Sequence, residues 1–269
     1  MSLRINSNVA AFNAYRNLSV NDTQMSKSLE KLSSGFRINR AADDASGLVK
    51  SEGLRAEIRG TQQAVRNAQD GVNFVQTSEG ALNEVHSILQ RMRELAVDAS
   101  NTATTNGTAQ QAEVAALKTQ LDSIGSQTKF GSQAVFSGSA LTFQVGANAG
   151  DTISVTVGAL SSANVGGTNV SAVDVSTNAS GAITTLDTAI ASLSTQRANL
   201  GAIQNRMEHT INSLNVAVQN LSASESQIRD TDMASEMTNF TKSQILVQAG
   251  TAMLAQANAA PQAVLKLLQ

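Results

Sequence analysis

Leu186, Leu193, Leu200, Met207, Leu214, Leu221 and Ile228 stand seven residues apart without a break. On a straight helix of 3.6 residues per turn such a stripe drifts by about 20° per heptad, or roughly 120° over the run. Only a left-handed supercoil against partner helices keeps those side chains on one seam. The pattern predicts a continuous rod of roughly 65 Å at 1.5 Å per residue. Burying all seven side chains is worth on the order of 10–20 kcal/mol of transfer free energy, an upper bound before ordering costs.

A second rod is predicted from Gln62 to about Ser100. Val75, Leu82, Leu89 and Ala96 hold one heptad position, and Ser78, Val85, Met92 and Ala99 its companion. This 3–4 alternation is the signal of helix–helix packing, and Ile88 and Leu95 widen the stripe toward a further neighbour. The run NTATTNGT (Asn101 to Thr108) reads as a loop. Val114, Leu117, Leu121 and Ile124 then predict a shorter helix that folds back antiparallel on the second rod.

The front of the chain predicts a helix capped by Asn6 or Ser7 and ending near Ser33-Ser34-Gly35. Its apolar positions include Leu18, Met25 and Leu32, seven apart, with Asp22 interrupting the seam. Residues 36–60 contain Gly47, Gly53 and Gly60. Each glycine costs ~1 kcal/mol relative to Ala inside a helix, so the segment reads as a jointed connector with short helical pieces. Between Lys129 and Arg197 the chain loses all basic residues. Ile153, Val155 and Val157 alternate with Ser154 and Thr156, the pattern of a half-buried strand, and a β-hairpin is predicted around residues 141–160. Residues 158–181, rich in Ser, Thr, Asn, Gly and Val, read as a link back to the long rod. Arg229-Asp230-Thr231-Asp232 breaks the seam. A last helix follows with Phe240, Val247 and Leu254, a joint at Pro261, and an apolar tip at Leu265, Leu267 and Leu268.

Composition fits rods better than a thick core. Apolar residues make up 41% but aromatics only 3%, with one Pro and no Trp, and thin Ala/Leu/Val seams need few aromatics. The net charge of −2 argues against a general polyanion binder, and no nucleic-acid motif is present. Zero Cys excludes disulfides and cysteine chemistry. The two histidines, His86 and His209, fall mid-helix on different rods and read as surface or interface residues. Asp43-Asp44 lacks the alternating spacing of a calcium loop. No phosphate-cradling, zinc-protease or nucleophile-elbow motif occurs, so neither an enzyme nor a cofactor site is expected. No stretch reaches the ~20 apolar residues of a membrane span. The first residues carry no signal-peptide pattern, so a secreted chain of this kind is expected to use a route that reads no cleaved signal.

Four stretches carry a resemblance. INSNVAAFNAYRNL, KLSSGFRINRAADDASGL and VRNAQDGVNFVQTSEGALNEVHSILQRMRELAVDASN near the front resemble bacterial flagellin, as does LGAIQNRMEHTINSLNVAVQNLSASESQIRDTDMASEMTNFTKSQILVQAGTAMLAQANAAPQAVLKLLQ at the end. The resemblance covers roughly residues 1–130 and 181–269. It implies a mainly α protein: a long antiparallel helical bundle or coiled coil with a small β-hairpin region and paired N- and C-terminal helices. Residues 1–40 and 230–269 would form an inner tube domain, 41–130 and 181–229 the bundle, and 131–180 the hairpin and link, with no outer domains. The bundle seam would comprise Leu186, Leu193, Leu200, Met207, Leu214, Leu221 and Ile228 with Val75, Leu82 and Leu89. Polymerisation contacts would fall on Leu18, Met25, Leu32, Phe240, Leu254, Leu265, Leu267 and Leu268.

The implied function is that of a secreted, extracellular subunit polymerising into the flagellar filament. The implied partners are further copies of the chain, flagellar cap and hook-junction proteins, and an export chaperone at the C-terminal helix. A toll-like flagellin receptor would meet the position of Arg91, Leu95 and Glu113. A hook–filament junction protein on the same rods and a cytosolic coiled-coil scaffold are the alternative expectations.

Overall fold

The computed structural model of the protein describes residues 8–101 and 107–267, with side chains as far as residue 259. Five helices dominate it: α1 (Val9–Ser34), α2 (Ala45–Ala99), α3 (Thr108–Gln127), α4 (Ala179–Arg229) and α5 (Met233–Leu267). Two compact units are present. One comprises Met1–Ala56 with Asn220–Gln269, the other Glu57–Gln219.

In the second unit, α2 and α4 run antiparallel, because their paired residues ascend on one helix as they descend on the other. Arg93 pairs with Asp187 and Glu79 with Arg197, and Gly71 lies against Met207. The same argument makes α3 antiparallel to α2, since Arg91 pairs with Glu113 and Asp98 accepts from Gln110. Leu82, Val85, Leu89 and Met92 of α2, Val114 and Leu121 of α3, and Leu186, Leu193, Leu200 and Met207 of α4 are buried in one cluster. Leu214, Leu221 and Ile228 continue the same spacing but remain half-buried.

Three two-stranded antiparallel sheets lie between α3 and α4 in sequence. β1 (Lys129–Phe130) pairs with β2 (Gln133–Ala134) through a turn whose Gly131 has φ 60°. β3 (Ala140–Gln144) pairs with β4 (Thr152–Thr156), so that Phe143 faces Ile153 and Leu141 faces Val155. Ile153, Val155 and Val157 are buried and the residues between them exposed. Phe74 of α2 ties the helices to these hairpins, its ring centroid 5.9 Å from that of Phe130 and 5.9 Å from that of Phe143.

Residues 158–181 are more than a link. They contain a third hairpin, β5 (Leu160–Ser161) with β6 (Asn164–Val165), and bury Val165, Val170, Val173 and Val175. Polar side chains along α3 hold this irregular strip in place. Asp122 accepts from the Ser162 hydroxyl (2.9 Å), Lys118 donates to the carbonyls of Ser171 (2.9 Å) and Val173 (2.6 Å), and Gln111 accepts from Val175 N–H (2.9 Å). Backbone groups that no regular ladder serves thus find side-chain partners, as burial requires. Burial also lowers the Lys118 pKa. Gly125 lets α3 approach this strip, since a Cβ there would collide with the Leu160 carbonyl.

Two further expectations are overturned. Residues 45–60 are not a jointed connector: α2 is continuous through Gly47, Gly53 and Gly60. Gly47 and Gly60 sit where a Cβ would meet Ile38 Cδ1 (2.7 Å) or Ala147 Cβ (3.2 Å), so close packing offsets their helix cost. Nor does Pro261 mark a joint, because α5 runs through it to Leu267.

Candidate functional site

The described residues contain no group of three or more His, Cys, Asp or Glu side chains able to hold a metal ion. No helix among them is long and apolar enough to cross a membrane. What the first unit presents instead is a pair of long terminal helices with one face covered and the other open.

The pair is antiparallel. Asn8 meets Ala257, Leu18 lies against Gly250, and Lys31 pairs with Glu236 at 3.8 Å. Between the helices sit small residues: Ser28 and Ser243 are buried, and a Cβ on Gly250 would come within 3.2 Å of Leu18 Cδ1. Leu18, Met25 and Leu32 of α1 and Phe240, Val247 and Leu254 of α5 are half-buried on the inner side. Leu265 and Leu267 carry side chains outside the described residues, and Leu268 lies outside them altogether. The outer side is apolar as well. Phe12 is 72% exposed, Tyr15 63%, Ile245 58% and Met253 63%. Two helices cannot cover a stripe on both of their sides, so this face stays uncovered by the pair itself.

Where α1 ends, a short joint forms. Gly35 takes the left-handed conformation at φ 75°, and its N–H closes on the Lys31 carbonyl, the C-terminal stop that glycine favours. Phe36 then forms an antiparallel bridge with Asp230, in the break between α4 and α5. Around it Arg37 N–H donates to the Arg229 carbonyl (2.7 Å), and Thr231 N–H to the Gly35 carbonyl (3.0 Å). Arg37 Nη2 donates to the Ile228 carbonyl at 2.6 Å. Arg229 donates to Glu52 (2.8 Å) while its guanidinium stands 4.8 Å from the Phe36 ring centroid. Hydrogen bonding from Arg229 is the main cause that holds Glu52 below the usual carboxylate range.

Next to the joint, Asp43 accepts from the N–H groups of Asn39 (3.2 Å) and Arg40 (2.9 Å), and the Arg40 bond is the main cause lowering its pKa. Asp44 accepts from Gly47 N–H (2.8 Å), capping α2. The Asp43-Asp44 pair is therefore occupied in turn and cap formation. At the start of α1 the cap is Asn8, not Asn6 or Ser7: its side chain accepts from Ala11 N–H at 3.0 Å.

On α2, Arg91 donates to both Glu94 and Glu113, and its hydrogen bond to Glu113 leads the causes that raise its pKa. Leu95, one turn on, is buried. The sequence pattern marked Arg229 only as the start of the break in the seam, and it did not single out Phe36, Glu52 or Asn8. Their signal is a break in each helical run, at Gly35 and at Asp230, where charged and aromatic residues have to serve freed backbone.

Long antiparallel helices, a closely paired set of terminal helices and an exposed apolar face place the chain in a class of mainly helical proteins built from long packed helices. Comparison narrows it. Residues 5–140 match the bacterial flagellin N-terminal helical region and residues 183–268 the bacterial flagellin C-terminal helical region. A flagellin of Halalkalibacterium halodurans is 50% identical over 98% of this chain and 99% of its own. A flagellin of Bacillus subtilis is 46% identical over 99% and 100%. The flagellar filament 33 kDa core protein of Treponema phagedenis is 44% identical over 98% and 99%. The crystal structure of Bacillus cereus flagellin aligns over 55% of this chain and 88% of that one, with TM-score 0.49 and 29% identity. The chain belongs to the bacterial flagellin family.

Proposed function

We infer that this chain is a structural subunit that polymerises into the bacterial flagellar filament. The observation that carries the reading is 44–50% collinear identity with flagellins and a filament core protein over 98–99% of the chain. The apolar outer face of the α1–α5 pair supports it physically. Phe12, Tyr15, Ile245 and Met253 stand exposed, and covering them against further copies releases water at about 25 cal/mol per Å². In this reading Leu18, Met25, Leu32, Phe240 and Leu254 close the α1–α5 pair itself, and the polymerisation contacts fall on the exposed Phe12, Tyr15, Ile245 and Met253 and on the apolar C-terminal residues Leu265, Leu267 and Leu268. The chain is exported and adds to the growing end outside the cell.

The remaining partners follow from the same reading. An export chaperone takes the apolar face of α5, where Met237, Ile245 and Leu246 line a shallow groove. Cap and hook-junction proteins meet the terminal helices at the two ends of the polymer. A toll-like receptor contacts the exposed Arg91–Glu113 pair, with Leu95 supporting it from beneath. Polymerisation is tested by adding sheared filament fragments to the purified chain and imaging the product by electron microscopy. Elongation of the seeds is expected; a chain that stays monodisperse with seeds present overturns the reading. A reporter cell line silent toward monomer overturns the receptor contact alone.

A further inference from the structure

One side chain meets both terminal helices at their chemical weak points. The first N–H groups of α1 have no partner inside the helix, and Asn8 Oδ1 accepts one of them, from Ala11, at 3.0 Å. The other end of the same carboxamide reaches across to α5, where Asn8 Nδ2 donates to the Ala257 carbonyl at 2.8 Å. That carbonyl is no ordinary helical acceptor. Its donor inside α5 would be the N–H four residues on, and the residue there is Pro261, which has none. Proline inside a helix also turns the carbonyl four residues earlier away from the axis. Ala257 is half-buried, so solvent serves that oxygen only in part.

We propose that Asn8 is a two-ended clasp: it caps α1 and, with its amide N–H, replaces the hydrogen bond that Pro261 removes from α5. The device explains how α5 runs through Pro261 to Leu267. It also fixes the register of the pair, because only one carbonyl in α5 lacks its helical donor through proline. A helix slip by one turn leaves Asn8 facing a carbonyl already in use and Ala257 without a partner. Asparagine alone among good N-caps supplies both halves: Asp, Ser and Thr accept at the cap, but none offers an amide donor beside the acceptor.

Asn8→Asp separates the two halves, since Asp caps α1 as well as Asn but turns a carboxylate oxygen toward the Ala257 carbonyl. Pro261→Ala restores the N–H, so that α5 serves its own carbonyl. The test is amide hydrogen exchange by mass spectrometry on the full chain, soluble and after seeded polymerisation, for wild type, both single variants and the double variant. In whichever form the wild-type amides of residues 250–257 are protected, Asn8→Asp is expected to speed their exchange about tenfold. In the Pro261→Ala background the same change is expected to alter it less than threefold, while protection at Ala11 persists throughout. An equal effect in both backgrounds, no effect in either, or amides unprotected in both forms overturns the clasp. Failure to polymerise counts against the filament reading, and the soluble arm still decides the clasp.

Discussion

The Arg229 guanidinium stands 4.8 Å from the centroid of the Phe36 ring while donating to Glu52 at 2.8 Å, so one cation joins the chain break after α1 to that before α5. The arrangement needs a planar, delocalised cation. The ring takes its face and the carboxylate its edge, which a lysine ammonium cannot do at once. Arg229 is 14% exposed in its side chain, so the interaction is less screened than a surface pair.

Arg229→Lys is expected to weaken the joint despite keeping the charge. The concentration of soluble chain left after seeded growth should rise about five- to thirtyfold, in line with the ~1–2 kcal/mol of a partly desolvated cation–π contact. Sedimentation of the polymer measures it. A value equal to wild type shows that charge alone suffices there.

Leu193 and Leu221 occupy equivalent heptad positions but not equivalent surroundings, the first fully buried and the second half-buried. Leu193→Ala should destabilise the soluble chain by about 2–5 kcal/mol through lost transfer energy and a cavity, and Leu221→Ala by roughly half as much. Urea unfolding followed by circular dichroism gives both values, and equal costs would contradict this account.

That contrast marks how far the sequence could be read. Heptad spacing states which face of a helix must be covered, and it marked the stretch of α4 that holds Leu186–Met207, but it started the second rod at Gln62 where α2 begins at Ala45. It does not state which chain provides the cover, so Leu214, Leu221 and Ile228 look identical to their buried counterparts. Residues 158–181 were illegible for a different reason. Val165, Val170, Val173 and Val175 are buried without a period of two or 3.6, because side chains of α3, not a regular ladder, serve their backbone. Glycine misled in α2, where propensity is a weak prior and close packing at Gly47 and Gly60 outweighed it.

Glycines separate into opposite signs. A Cβ at Gly125 would collide with the Leu160 carbonyl, whereas one at Gly201 meets nothing within 4 Å. Gly201→Ala should therefore stabilise the soluble chain by about 0.5–1 kcal/mol through helix propensity. Gly125→Ala should destabilise it by about 1–3 kcal/mol, overpacking defeating the same gain. Thermal or urea unfolding of the two variants side by side gives the signs.

Acid should loosen the strip that α3 holds. Asp174 accepts from Ser176 N–H (2.8 Å) and hydroxyl (2.7 Å). With the Ser176 side-chain bond as the first cause, its pKa falls from 3.8 to about 2. A depressed carboxylate contributes stability above its unfolded value and loses it as pH falls through the folded one. The melting-temperature gap between wild type and Asp174→Ala should thus be constant above about pH 5 and close between about pH 4 and 2. A gap unchanged at pH 2 would show that the carboxylate charge plays no part.

Among the described residues each sheet stops at two strands, and the longest strands, β3 and β4, have five residues. Such brief edges offer little template for strand addition from a neighbour. Ordered growth and misassembly should therefore leave opposite optical signatures. A genuine polymer keeps the helical spectrum of its subunits, and a gain of β signal with a 4.7–4.8 Å fibre repeat identifies material that has lost the native fold, whatever its shape under the microscope.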